Sequence, residues 1–110
     1  MHTPGKEIDL ISPTTYARFL FGDAIDQEKF RGDHTRFIEA LRSEGVSVAS
    51  LTELLRGQPD LLRSAERLPN LVYVRDTAAV TRAGYVSSRM KKPVRRGEPR
   101  IVEAALRQLG

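Results

Sequence analysis

The sequence has no cysteine and no tryptophan, and only four phenylalanines and three tyrosines among 110 residues. Without cysteine, these residues hold no disulfide, no thiolate metal ligand and no cysteine nucleophile. No run of 18 or more apolar residues exists, which excludes a transmembrane helix. Met1 to Leu10 carries Lys6, Glu7 and Asp9 and lacks the apolar stretch of a signal peptide, so a cytoplasmic address is expected. Neither a Gly-x-Gly-x-x-Gly nor a phosphate-loop pattern appears. His2 and His34 are the only histidines and have no metal-ligand spacing, so no metal site and no serine triad is expected. His34, between Phe30 and Phe37, reads as a structural histidine bordering a packed helix face.

What is present is ordinary soluble-domain material, 40% hydrophobic and 29% charged, and the length allows one domain spanning residues 1–110. The net charge of +4 is unevenly spread. Residues 1–55 hold six Lys/Arg against nine Asp/Glu, whereas residues 56–110 hold twelve against five. From Arg82 to Arg100 seven bases face only Glu98. A basic stretch suits phosphate in general. This one has Tyr85 as its only ring and is broken by Pro93 and Gly97, which argues against a nucleic-acid partner.

The pattern along the chain predicts a helix from about Asp26 to Ser43, with Phe30, Phe37, Ile38 and Leu41 on one face and Gly45 as its stop. Val46 to Ala49 alternates as a short strand. Ser50 to Glu53 forms a capping box before a helix with Leu51, Leu54 and Leu55 on its apolar side. A further short helix is predicted over Asp60 to Arg67. Three β-prone runs follow, Leu71–Val74, Ala78–Thr81 and Tyr85–Ser88, the last two joined as a hairpin through Arg82-Ala83-Gly84. A last helix runs from about Glu98 to Gln108, with Pro99 in its first turn and Ile101, Val102, Ala105, Leu106 and Leu109 on its apolar face. The alternation is that of an α/β protein.

Arg75-Asp76 is the oddest feature, two opposite charges between apolar β-prone segments. Either both side chains mark a strand end in water, or Asp76 is a carboxylate at the mouth of a β element that accepts a cation.

Leu68-Pro69-Asn70-Leu71-Val72-Tyr73-Val74-Arg75-Asp76 resembles the Pro-Asn-x-x-Phe-x-Arg-Asp segment of arginine deiminases, and Met90 to Arg96 with Glu98 resembles their Met-Tyr-…-Arg-Arg-x-Glu stretch. His2-Thr3-Pro4-Gly5-Lys6-Glu7, Leu20-Phe21-Gly22-Asp23, Asp33-His34-Thr35-Arg36-Phe37 and Gly45-Val46-Ser47-Val48 are similar to further motifs of the same enzymes, in the same order, across essentially the whole chain. The resemblance implies a partial pentein (α/β propeller) fold, roughly the first third of a fivefold pseudo-symmetric propeller in the amidinotransferase superfamily. It implies that Asp76 is catalytic and makes paired hydrogen bonds to a guanidinium, a fork of donors meeting two acceptor oxygens. Tyr73 would pack on the guanidinium face, and Asn70 and Arg95 would hold the amino-acid end, Arg95 at the α-carboxylate.

This chain departs from the pattern in having Tyr73 for phenylalanine and Gly22 for the first aspartate of Leu-Phe-Asp-Asp, and Met1 stands directly before the first motif, where the family has a strand. The family's catalytic histidine-and-acid region and its cysteine have no counterpart in these residues. The expected function is therefore the N-terminal portion of an arginine deiminase-like hydrolase, inactive alone, whose remaining portion is removed, separately encoded or lost. The alternative is a non-catalytic partial pentein that binds a guanidino compound or a protein. Expected partners are arginine or a related guanidino compound, and a second copy or a complementary chain. No cofactor is implied.

Overall fold

The computed structural model describes residues 1–110. After a 3₁₀ turn at Lys6–Leu10 come α1 (Gln27–Ser43), α2 (Leu51–Leu54) and α3 (Pro59–Ala65). A second 3₁₀ segment, Pro69–Asp76, leads to the strands β1 (Ala78–Thr81) and β2 (Gly84–Ser87). A third 3₁₀ turn, Pro93–Arg95, precedes α4 (Glu98–Leu109).

Local chemistry accounts for most boundaries. The Asp26 side chain accepts from the Lys29 amide at 2.9 Å and starts α1, and Gly45, at φ 77°, ends it. Ser50 accepts from the Glu53 amide and starts α2, as its capping box predicts. Pro59 and Pro99 sit in first turns, where a missing amide hydrogen has no effect. β1 and β2 form an antiparallel hairpin in which Thr81 faces Gly84 and Ala78 faces Ser87. Gly84, at φ 135°, takes a backbone conformation that a side chain would strain.

Two predicted strands are absent. Leu71–Val74 lies within the Pro69–Asp76 3₁₀ segment, kinked at Tyr73 (φ −90°, ψ 51°). Val46–Ala49 joins no sheet, and its end is tied only to Met1, whose amino group donates to Ala49 O while Leu51 N donates to Met1 O at 2.8 Å. β-Branched residues favour a strand only when a neighbour completes the hydrogen-bond ladder, and β1–β2 is the whole sheet.

The core lies where α2, α3 and α4 meet the second 3₁₀ segment, around Leu51, Leu55, Leu71, Ile101 and Ala105. Ile101, Val102 and Ala105 are buried as the pattern predicts. α1 departs from expectation: His34 is its one buried residue, and Phe37 is 54% exposed. The helix rests on the N-terminal segment through polar contacts instead. Gln27 donates to Ile8 O at 3.4 Å, and Arg31 donates to Gly5 O and Asp9 Oδ1, both at 2.7 Å.

Candidate functional site

The apolar stripe of α4 begins with a charge. Glu98 precedes Ile101, Val102 and Ala105 at the i, i+3, i+4, i+7 spacing and is wholly buried with them. A carboxylate in that position demands a partner. Arg95, three residues back in the 3₁₀ turn, supplies it. Its Nε lies 3.0 Å from both Glu98 oxygens, and its Nη2 lies 2.8 Å from Oε2. The remaining end of the guanidinium, Nη1, donates to Asp76 Oδ2 at 3.0 Å. Arg95 is 14% exposed and Asp76 45%, so the arrangement runs from a buried carboxylate through a half-hidden guanidinium to an accessible carboxylate.

Burial opposes the charge on Arg95, but hydrogen bonds to Glu98 and Asp76 outweigh it and hold the guanidinium even more firmly protonated. For Glu98 the balance is reversed. Burial pushes its carboxyl above the usual range, and Arg95 offsets only part of that rise.

The other two predicted residues lie on the same 3₁₀ segment as Asp76 but face a different neighbour. Asn70 is buried; its Nδ2 donates to Phe19 O at 2.8 Å, while its Oδ1 is buried without a partner. Tyr73 is half-exposed and tilted against Phe21, with ring centroids 6.4 Å apart. Between Phe19 and Phe21, Leu20 adopts φ 66°, an uncommon left-handed conformation for a side-chain-bearing residue. Asp76 and Arg95 are thus joined directly, whereas Asn70 and Tyr73 meet the Phe19–Phe21 turn and make no hydrogen bond to that pair.

Glu98 is not among the binding residues that the sequence points to. Its signal was available, since it occupies an apolar position in the helical stripe with an arginine at i−3.

A second polar cluster joins the N-terminal segment to α1. His2 Nε2 donates to Glu7 Oε1 at 2.9 Å, and the same oxygen accepts from Gly5 N at 2.7 Å. Burial alone would raise the Glu7 carboxyl, but these hydrogen bonds and the nearby His2 hold it below its ordinary value. Both ring nitrogens of His34 are buried and unpartnered, as is His2 Nδ1. Burial, with smaller contributions from His2 and the N-terminal ammonium, lowers the His34 pKa. No group of three or more His, Cys, Asp or Glu is arranged to hold a metal ion, and no helix is long and apolar enough to cross a membrane.

Comparison with known proteins returns arginine deiminases. The chain is 31% identical to the enzyme of Metamycoplasma hominis over 67 residues, covering 61% of this chain and 16% of that protein. It is 34% identical to the Metamycoplasma arthritidis enzyme over 61 residues and 43% identical to the Streptococcus uberis enzyme over 54, covering 56% and 49% of this chain. Those last two matches cover 15% and 13% of the respective relatives. The chain is distantly related to arginine deiminases. The aligned similarity extends over about half of it, less than the motif order suggested, and spans about one-seventh of the length of these relatives. No family model and no solved structure matches.

Proposed function

We propose that this chain supplies the guanidinium- and carboxylate-recognising part of an arginine deiminase-like site within a partial pentein fold. The observation that carries the reading is the Asp76–Arg95 pair: an accessible carboxylate, in the segment that resembles the Pro-Asn-x-x-Phe-x-Arg-Asp motif, already accepts a guanidinium hydrogen bond at 3.0 Å. An arginine side chain is the same donor, and it competes with Arg95 Nη1 for Asp76. Asn70 Oδ1 has no partner and is the acceptor for the substrate's α-ammonium, which reaches this buried atom only when the site opens. Arg95 carries the charge that meets the α-carboxylate, and the exposed ring of Tyr73 offers its face to the guanidinium.

The reaction converts L-arginine and water into citrulline and ammonia. A thiolate attacks the guanidinium carbon, ammonia leaves, and water then cleaves the covalent amidino intermediate. These residues contain no cysteine, so the thiolate comes from outside them. A complementary chain completes the site, since a second copy of this chain brings no cysteine either.

The test is a citrulline assay on the 110-residue chain, alone and mixed with a chain carrying the histidine and cysteine segments of an arginine deiminase. No citrulline is expected alone, with turnover in the mixture that Asp76→Asn abolishes. Turnover unaffected by Asp76→Asn refutes the assignment. An inactive mixture, with Asp76-dependent arginine binding by the chain alone, favours the non-catalytic binder instead.

A further inference from the structure

Arg95 is shared between two carboxylates in very different surroundings. Glu98 is wholly buried, and hydrogen bonds of 3.0, 3.0 and 2.8 Å tie it to Nε and Nη2, one edge of the guanidinium. Asp76 is exposed and accepts a single hydrogen bond of 3.0 Å, from Nη1. A buried carboxylate has no water to replace a lost partner, so losing one costs it far more than it costs an exposed carboxylate. Glu98 therefore holds Arg95, and Asp76 receives only the donor that is left over.

Both carboxylates are fixed by their own elements. Glu98 stands in the first turn of α4, on the same face as the buried Ile101 and Val102. Asp76 ends the second 3₁₀ segment, and the wholly buried Thr77 locks that end. Thr77 Oγ1 and Thr77 N donate to Val74 O at 2.6 and 3.1 Å, and Thr77 O accepts from Ser88 N at 2.9 Å. The guanidinium is the movable member, turning on a long side chain between two rigid acceptors.

Without the charge on Glu98, Asp76 is the one carboxylate left in contact with Arg95. Nη1 already touches it, and a turn of the guanidinium brings a second N–H to its other oxygen, the two-pronged pair that arginine forms with carboxylates. Both oxygens that an incoming guanidinium needs are then taken. We propose that Glu98 is a positioning residue for arginine recognition: by holding the Nε–Nη2 edge of Arg95 it limits Arg95 to one hydrogen bond on Asp76 and keeps that carboxylate open to a ligand's guanidinium. This inference rests on the arginine deiminase-like reading of Asp76. It gives the buried charge at the head of α4 a task beyond supporting the fold.

Two readouts test this. The first is the proton–nitrogen NMR signal of Arg95 Nε–H in the 110-residue chain, which reports the contact with Glu98 without any substrate. Asp76→Asn should leave that signal in place. Glu98→Gln removes the charge at nearly constant volume; it should move the signal towards that of a free arginine side chain and speed its exchange with water about tenfold or more. The second is citrulline formation in the mixture described above. In Glu98→Gln, arginine must displace a two-pronged partner before it reaches Asp76, a cost confined to binding. KM should therefore rise about tenfold while kcat stays within about twofold. Loss of a mere support for the fold has the opposite signature, because fewer folded molecules lower the apparent kcat and leave KM unchanged. That outcome overturns the proposal, as does an Arg95 signal that Asp76→Asn disturbs as much as Glu98→Gln does. An inactive mixture counts against the arginine deiminase-like reading instead, and the spectra then decide whether Glu98 sets Arg95.

Discussion

Replacing Arg95 by alanine tests whether this residue is first a ligand-binding group or first a support for the fold. Glu98 is wholly buried, and Arg95 is its only side-chain hydrogen-bond partner. Removing one member of a buried ion pair costs about 3–5 kcal/mol, because the other is left charged without compensation. Asp76, also released, is 45% exposed and returns to water at little cost. A small domain has roughly 5–15 kcal/mol of stability in total, so Arg95→Ala removes a large part of it. With a urea m-value of about 2 kcal/mol/M, the unfolding midpoint should fall by roughly 2 M.

The deficit should also depend on pH. Burial raises the Glu98 carboxyl, Arg95 opposes that rise, and removing Arg95 leaves burial unopposed. A carboxyl raised in the folded state binds more protons folded than unfolded, so stability is lost as pH rises through its folded value. The Arg95→Ala deficit should therefore be full at pH 7.5 and shrink on acidification as Glu98 takes up a proton. Adding Glu98→Gln to Arg95→Ala should restore at least about 1 kcal/mol at pH 7.5. Urea titrations followed by circular dichroism measure all three. A deficit under about 1 kcal/mol at pH 7.5, or one that grows on acidification, refutes the account of a buried, Arg95-dependent carboxylate.

Other outcomes follow from the same structure. His34 is held neutral by burial, with His2 and the N-terminal ammonium opposing its protonation and Glu7 facing His2. Its lowered folded pKa means that stability is kept above 6.5 and lost as pH falls below it, and His34→Gln should flatten that part of a stability–pH profile. Ile101→Ala, at a fully packed position, should cost about 2–5 kcal/mol in chemical denaturation, whereas exposed Val86→Ala should stay within about 0.5 kcal/mol. Gly84→Ala meets no neighbouring atom within 4 Å, so its penalty of about 1–3 kcal/mol in the same assay should be purely conformational.

Much of the fold was legible because its signals are local. Asp26, Ser50, Pro59, Gly84 and Pro99 set their boundaries by short-range hydrogen bonding or backbone restriction. The two missing strands differ from expectation because a strand is not a local object. Val46–Ala49 and Leu71–Val74 have the right residues but no neighbour to pair with, and the second follows Pro69 into a 3₁₀ path. The exposure of Phe37 was likewise hidden, since periodicity identifies a face without identifying what covers it. At the site, the apolar pattern around Arg75-Asp76 marks it as odd and charge counting marks Arg82–Arg100 as basic, yet neither predicts that Arg95 crosses 19 positions to Asp76. That contact arises from the buried position of Glu98 at the start of α4, which holds Arg95 in place.

The way α1 is attached divides the molecule into parts that open separately. Its docking contacts run to Gly5, Ile8 and Asp9, and its one buried side chain is His34 near His2, while the main apolar core is assembled without it. Few apolar contacts mean a low free energy of local opening. In native-state hydrogen exchange, the α1 amides should exchange together, well ahead of those around Ile101 and Val102, at denaturant concentrations where the core remains closed. A protease should cut first within Gln27–Ser43, leaving a resistant remainder built on α2, α3 and α4.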